Sequence, residues 1–211
     1  MRNPWLDIPL GDYEGHMALP QVAQAPLLSE VFAGLLAAYA PRSVAVLGCA
    51  GGNGLERVSP AVTPRVVGVD INPRYVEATR ARFAGRIPRL ELIAGDVQSD
   101  QVGFAPVELL LAGLLFEYVD PERVLARVPT LLCPGGILAS VLQLPSAGAP
   151  AVTPSPFVSL GALSATMRLI APERLGHLAQ VHGCRAIDAY TLSSPVGKQF
   201  RVQVFRHEGV A

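Results

Sequence analysis

Apolar positions along this chain follow two rhythms that replace each other in turn. From Pro26, residues Leu27, Leu28, Val31, Leu35 and Leu36 recur at helical spacing, with a proline at a favourable first position and Pro41 as a stop. Ser43-Val44-Ala45-Val46-Leu47 is then a continuous apolar run, which suits a strand buried on both faces of a parallel sheet. A glycine loop follows, and a short helix is expected from about Leu55. Arg65 to Asp70 predicts a second strand. Pro73 opens a helix running to about Phe83, with Ala84-Gly85 as its stop. Residues 90–94 predict a third strand and 107–112 a fourth. Pro121 opens a helix carrying Val124, Leu125 and Val128, and Gly135-Gly136 turns the chain into a fifth strand over 137–142. A late helix is expected from Pro172 to about His182. Two last strands, near 186–192 and 199–205, are joined by Ser193-Ser194-Pro195-Val196-Gly197 and read as a hairpin at the sheet edge.

This alternation predicts the α/β class: a Rossmann-like, doubly wound, mainly parallel sheet with a C-terminal antiparallel hairpin strand. One domain is expected across 1–211. Its parts are an N-terminal cap and first helix (1–40), a core (41–144), an insert or lid (145–170), and a late helix with the edge hairpin (171–211). Residues 1–24, with Pro4, Pro9 and Pro20, read as an irregular lead-in with room for one helical turn. Residues 145–168 place Pro145, Pro150, Pro154 and Pro156 among Ser, Ala and Gly, which favours a lid or a disordered stretch over regular structure.

Composition narrows the class of partner. Half of the 211 residues are hydrophobic, 16% are charged and the formal net charge is zero, as in a globular chain. Nothing in that balance asks for a nucleic-acid backbone or a membrane surface. Arg80, Arg82, Arg86 and Arg89 read as a solvated helix face and the turn after it. Three cysteines, Cys49, Cys133 and Cys184, form no C-x-x-C pair and fit reduced thiols. Met1 to Gly15 lacks the pattern of a signal peptide, and the longest apolar stretch, Leu109 to Phe116, is short of a membrane span. The expected location is the cytoplasm.

The strongest chemical signal is a strand, the loop Gly48-Cys49-Ala50-Gly51-Gly52-Asn53-Gly54, a helix, and Asp70 at the end of the next strand. Glycines let the backbone turn sharply and let a ligand touch the main chain. Free N–H groups at a helix start suit a polar ligand atom. A carboxylate at the carboxyl end of the neighbouring strand can accept both hydroxyls of a ribose. Asp96, two residues past the third strand, faces the same edge. A nucleoside-bearing ligand follows. The dinucleotide fingerprint G-x-G-x-x-G fits poorly, because Ala50 and Asn53 stand where its second and third glycines belong.

The arrangement instead resembles motif I of the class I S-adenosylmethionine-dependent methyltransferases, here Leu47-Gly48-Cys49-Ala50-Gly51-Gly52-Asn53-Gly54-Leu55-Glu56. The resemblance extends through Gly68-Val69-Asp70-Ile71-Asn72, Ala94-Gly95-Asp96-Val97 and Leu132-Cys133-Pro134-Gly135-Gly136, and covers about residues 40–142. It implies S-adenosylmethionine as cofactor and methyl transfer as activity. By resemblance, Gly48, Cys49, Ala50, Gly52 and Asn53 lie in the loop against the methionine and ribose part. Asp70 binds the ribose hydroxyls and Ile71 packs on the adenine. Asp96 accepts from the adenine amino group, the Val97 N–H meets a ring nitrogen, and Leu114 or Phe116 walls the sulfonium region. Two positions depart from the family. Val46 stands where an acid often precedes the first glycine, and Glu108 lies one residue inside the fourth strand instead of starting it.

The composition favours a small-molecule acceptor. Candidates for a base or an acceptor-orienting group are Tyr13 and His16 in the lead-in, and Glu117 after the fourth strand. Tyr13 and His16 could equally belong to a solvated arm, and Glu117 to a helix start. His177 and His182 read as surface residues, and Cys49 as a small packed hydrophobe. No metal site is expected. Two other functions remain open: a cofactor-binding domain without catalysis, which Val46 favours, and an NAD-linked oxidoreductase.

Overall fold

The computed structural model describes residues 3–146 and 150–209. The alternation predicted from the sequence is present. Strands β1 (Ser43–Leu47), β2 (Arg65–Asp70), β3 (Arg89–Ala94), β4 (Val107–Gly113), β5 (Leu132–Gln143), β6 (Cys184–Ser193) and β7 (Gln199–His207) form one sheet in the order β3-β2-β1-β4-β5-β7-β6. The first five strands pair in parallel. β7 enters antiparallel between β5 and β6, so the hairpin closes one edge and β6 becomes the outer strand.

Side chains of β1 alternate between two apolar layers. Ala45 and Leu47 join Val67, Val69, Leu110, Leu138 and Phe205 under α4 (Pro121–Leu131) and α5 (Pro172–Val181). Val44 and Val46 join Leu109, Val141 and Phe200 beneath α2 (Gln24–Tyr39), whose Val31, Phe32 and Leu35 are buried there. Phe83 of α3 (Pro73–Phe83) packs into the same layer. Strands covered on both faces must be apolar throughout, which is why they read as continuous runs. Three helices start where proline placed them: Asn72 caps α3 by accepting from the Arg74 N–H at 3.0 Å, and Asp120 caps α4 from the Glu122 N–H at 3.0 Å; α5 begins at Pro172 without a side-chain cap.

Three expectations are corrected. The helix sought near Leu55 is a single 3-10 turn over Leu55–Arg57. The irregular lead-in contains a nine-residue helix, α1 (Leu10–Ala18). Gly11 and Gly15 obscured it, because glycine disfavours helix interiors. Gly15 is needed there for another reason: a Cβ on it would stand 2.4 Å from the ring of Phe157. The insert also has regular structure, a 3-10 helix over Val158–Ala165. Ile8, Leu160 and Leu163 form a small third core with Trp5, Tyr13, Tyr118, Val152 and Phe157, which ties the N-terminal segment to the insert. Residues 147–149 of that insert lie outside the described residues. Among the described residues no helix is long and apolar enough to cross a membrane.

Candidate active site

The glycine loop is held open by main-chain bonds. Gly48 turns off β1 with φ +73°, and the N–H groups of Gly48 and Cys49 both donate to the Val69 carbonyl, at 2.8 and 3.0 Å. Ala50 has a left-handed φ of 46°, uncommon outside glycine. It is gripped from two sides: its N–H donates to Oδ2 of Asp70 at 2.8 Å, and its carbonyl accepts from Oγ1 of Thr79 at 2.8 Å. Leu114, just past β4, is also left-handed, with φ 54°, and its N–H donates to the Val141 carbonyl. Backbone strain of this kind gathers at ligand sites, where the surroundings over-determine it.

These residues line a cleft at the carboxyl ends of β1, β2 and β4. It has about 650 Å³ of space between atoms, counting its mouth, which is in the range of small-molecule sites. Gly48, Ala50, Asp70, Ile71, Asp96, Val97 and Leu114 all face it. Three other loop residues do not. Cys49 is buried behind the loop, while Gly52 and Asn53 line a separate surface groove, where Nδ2 of Asn53 donates to the Ala25 carbonyl. Burial, with Asp70 nearby, drives the Cys49 thiol far above its ordinary range, so it stays protonated. Phe116, the alternative to Leu114, is buried in the core under α4.

Asp70 is buried, and burial pushes its carboxyl up to about 6 against the opposing effect of two N–H donors. Oδ1 accepts from the Asn72 N–H at 2.9 Å and Oδ2 from the Ala50 N–H. A carboxylate oxygen has two acceptor positions, so each retains one for a ligand hydroxyl. Val46 is buried in the apolar layer. Glu108 lies at the opposite end of the sheet, where Oε2 accepts from the Arg42 N–H at 2.7 Å, and contributes nothing to this cleft.

The N-terminal segment lies across the mouth. Asn72 Nδ2 donates to the Trp5 carbonyl at 2.8 Å, and the Tyr75 hydroxyl to the Ile8 carbonyl at 3.1 Å. Tyr13 stacks on Tyr75, and Trp5 stands edge-on to both Tyr13 and Tyr118. Beyond this wall lies a second cavity of about 520 Å³, bordered by His16, Met17, Gln24, Gln143, Thr153, Leu160 and Met167 among others. Trp5, Tyr13, Leu114 and Tyr118 border both spaces. The sequence could not reveal this junction, because its four residues come from two segments far apart in the chain.

Chains of known structure and sequence decide what this arrangement is. Residues 44–136 match the model of a family described as a methyltransferase domain. This segment is a class I S-adenosylmethionine-dependent methyltransferase domain. Over 108 residues the chain is 33% identical to trans-aconitate 2-methyltransferase of Methylobacterium radiotolerans, covering 50% of this chain and 39% of that enzyme's length. The geranyl diphosphate C-methyltransferase of Streptomyces coelicolor, solved with S-adenosyl-L-homocysteine, superposes with a TM-score of 0.64 at 12% identity, over 84% of this chain and 77% of that one. The [4+2]-cyclase SpnF superposes with 0.67 at 15% identity, over 87% and 81%. At these identities the structural likeness concerns the fold, and the cyclase shows that this fold carries more than one chemistry. The methyltransferase domain is an S-adenosylmethionine-binding fold, which leaves the dinucleotide alternative without support.

Of the three candidate reacting groups, Tyr13 borders both spaces, His16 only the second, and Glu117 neither. His16 is buried at the second cavity, and its Nδ1 has no hydrogen-bond partner. Burial, and then the nearby Lys198 ammonium, lower its pKa, so the imidazole is neutral near pH 7. Burial, with Asp70 and Glu14 nearby, raises the Tyr13 phenol well above its usual range. That group is a wall and a hydrogen-bond donor. Glu117 borders neither space. Its Oε1 accepts from the Gln143 N–H at 2.7 Å, its Oε2 has no partner, and burial pushes it up to about 7. Among the described residues no cluster of three or more His, Cys, Asp or Glu could hold a metal.

Proposed function

We propose that this chain transfers the methyl group of S-adenosylmethionine to a small molecule held in the second cavity. The observation that carries this reading is the wall of Trp5, Tyr13, Leu114 and Tyr118, common to both spaces. A cofactor in the first cleft and an acceptor in the second would meet only there. The relative's name, trans-aconitate 2-methyltransferase, is in keeping with a small acceptor.

The residues present fit the cofactor. The free acceptor positions of Asp70 suit the two ribose hydroxyls. Ile71 and Val97 offer apolar faces to an adenine, and Asp96 an acceptor for its amino group. Gly48 and Ala50 bring the main chain to the remainder of the molecule. Cys49, Gly52 and Asn53 serve this site by shaping the loop from behind. When bound, the cofactor supplies an electrophilic methyl with a neutral leaving group, so the protein need contribute mainly alignment and exclusion of water.

Leu114 and the three aromatic rings would serve both tasks, since they present largely apolar faces to the cleft and to the acceptor space. His16, neutral and without a partner at Nδ1, would take the proton that a hydroxyl or amine acceptor must lose. Glu117 acts from behind: through the Gln143 N–H it fixes the end of β5, which borders the acceptor cavity. Equilibrium titration with S-adenosylmethionine, followed by a screen of small phenols, amines and carboxylates for release of S-adenosylhomocysteine, tests the proposal. Binding with turnover of at least one acceptor is expected. Absence of binding would remove it, and binding without any turnover would favour a non-catalytic cofactor-binding domain.

A further inference from the structure

Building on methyl transfer across the shared wall, we infer that the acceptor carries a carboxylate, bound at the end of the second cavity formed by Gln24, Gln143, Ala151 and Thr153 and backed by the Lys198 ammonium. Lys198 lies in the hairpin turn between β6 and β7, where a lysine would ordinarily extend into water. Here it folds inward and is 5% exposed. Its Nζ donates to the carbonyls of Pro150 and Ala151, at 3.1 and 2.8 Å, and no carboxylate among the described residues pairs with it. Carbonyl dipoles solvate a cation but do not neutralise it, and a buried charge without a counter-charge is costly. The positive field of this ammonium reaches the cavity, since it opposes protonation of His16 on the cavity wall.

The side chains at that end complete the picture. The Ala151 carbonyl accepts from both Lys198 and Nε2 of Gln143, the latter at 2.9 Å. Gln24 Nε2 donates to Oε1 of Gln143 at 3.3 Å. Each amide nitrogen keeps a second hydrogen, the ammonium keeps a third, and the Thr153 hydroxyl is buried with no partner. The unspent donors of Gln24, Gln143 and Thr153 thus gather at one end of the space, beside the ammonium. None of the residues bordering it is an Asp, Glu or Arg; its titratable members are Tyr13, His16 and Tyr118. The buried acid nearby, Glu117, spends Oε1 on the Gln143 N–H and does not border the cavity. Toward the wall, Trp5, Leu114, Leu160, Leu163 and Met167 make the rest of the space apolar. A fitting acceptor therefore has an anionic head, an apolar body, and its methyl-accepting atom at the end away from Thr153.

The test is calorimetric titration with matched pairs: 4-hydroxyphenylacetate, 3-phenylpropanoate and hexanoate, each against its primary amide. Each is run with saturating S-adenosylhomocysteine and repeated without it. At least one acid is expected to bind ten times or more tightly than its amide. Lys198→Met should abolish that preference, and Thr153→Val should reduce it, while affinity for S-adenosylhomocysteine stays within twofold. Thr153→Val serves where Lys198→Met fails to give a folded protein by thermal melt. Acids and amides that bind alike, acids that fail to bind, or a preference that survives the variants would each overturn the inference. Cofactor affinity separates the two readings. S-adenosylhomocysteine binding without acid preference removes only the carboxylate, whereas loss of S-adenosylhomocysteine binding by the unaltered chain removes methyl transfer itself.

Discussion

Asp70 and Ala50 are joined across the base of the first cleft, the Ala50 N–H meeting Oδ2 at 2.8 Å. This bond fixes a left-handed loop residue and aims the carboxylate at once. Because burial raises the Asp70 pKa to about 6, the group is ionised at pH 7.5 and largely protonated at pH 5. A protonated carboxyl loses acceptor strength, so affinity for S-adenosylhomocysteine should fall by up to about tenfold per unit below pH 6. Asp70→Asn should bind roughly tenfold or more weakly at pH 7.5 and show a flat profile. A flat profile in the unaltered protein would contradict the assignment.

The same shift has the opposite effect on the free protein. A carboxyl whose folded pKa lies above its ordinary 3.8 binds more protons folded than unfolded. Its contribution to stability therefore grows as pH falls from about 6 towards 4. Glu117, raised from 4.5 to about 7, acts likewise between those values. Glu117→Gln keeps an acceptor for the Gln143 N–H and removes the cost of ionisation. Its melting temperature at pH 8 should exceed that of the unaltered chain by several degrees, at about 2–4 °C per kcal/mol for a chain of this size. At pH 4.5 the two should melt together. A lower melting temperature for Glu117→Gln at pH 8 would show that a further contact stabilises the ionised carboxylate.

Arg82 of α3 grips Glu14 of α1, one bond measuring 2.9 Å, and donates to the Gly51 carbonyl at 2.9 Å. Arg82 is thus more than part of a solvated arginine face. Exposed pairs stabilise little, about 1 kcal/mol or less, so Arg82→Gln should scarcely change the melting temperature. Its effect should fall on the loop and on the helix carrying Tyr13 and His16. We expect weaker S-adenosylhomocysteine binding, by about threefold to tenfold, and faster hydrogen exchange over residues 10–18. Unchanged exchange there would show that the aromatic contacts hold α1 alone.

His16→Gln separates chemistry from binding. With His16 as base, turnover of a hydroxyl or amine acceptor should fall by about 10² to 10⁴, while S-adenosylhomocysteine affinity stays constant. For an acceptor that is already an anion at its nucleophilic atom, the loss should be small. An equal loss in cofactor affinity would assign His16 to the fold of α1.

The sequence by itself determined the sheet, the helices α2 to α5 and a nucleoside site, which its motifs' resemblance narrowed to S-adenosylmethionine. Strands covered on both faces must be apolar throughout, prolines mark helix starts, and glycines with Asp70 and Asp96 at strand ends leave a local signature of nucleoside binding. These features are encoded by neighbours in the chain, so one sequence displays them. The acceptor site is of another kind. α1 is glycine-containing and weakly patterned, and it forms because Trp5, Tyr13 and Ile8 pack on Tyr75, Tyr118 and the insert. Lys198 sits in a hairpin turn that reads as exposed, and only the return of the insert over it, with the carbonyls of Pro150 and Ala151, buries its charge. His16, Gln24, Gln143, Thr153 and Lys198 come from five separate segments. No spacing rule relates them, because what brings them together is long-range packing, which leaves no local pattern.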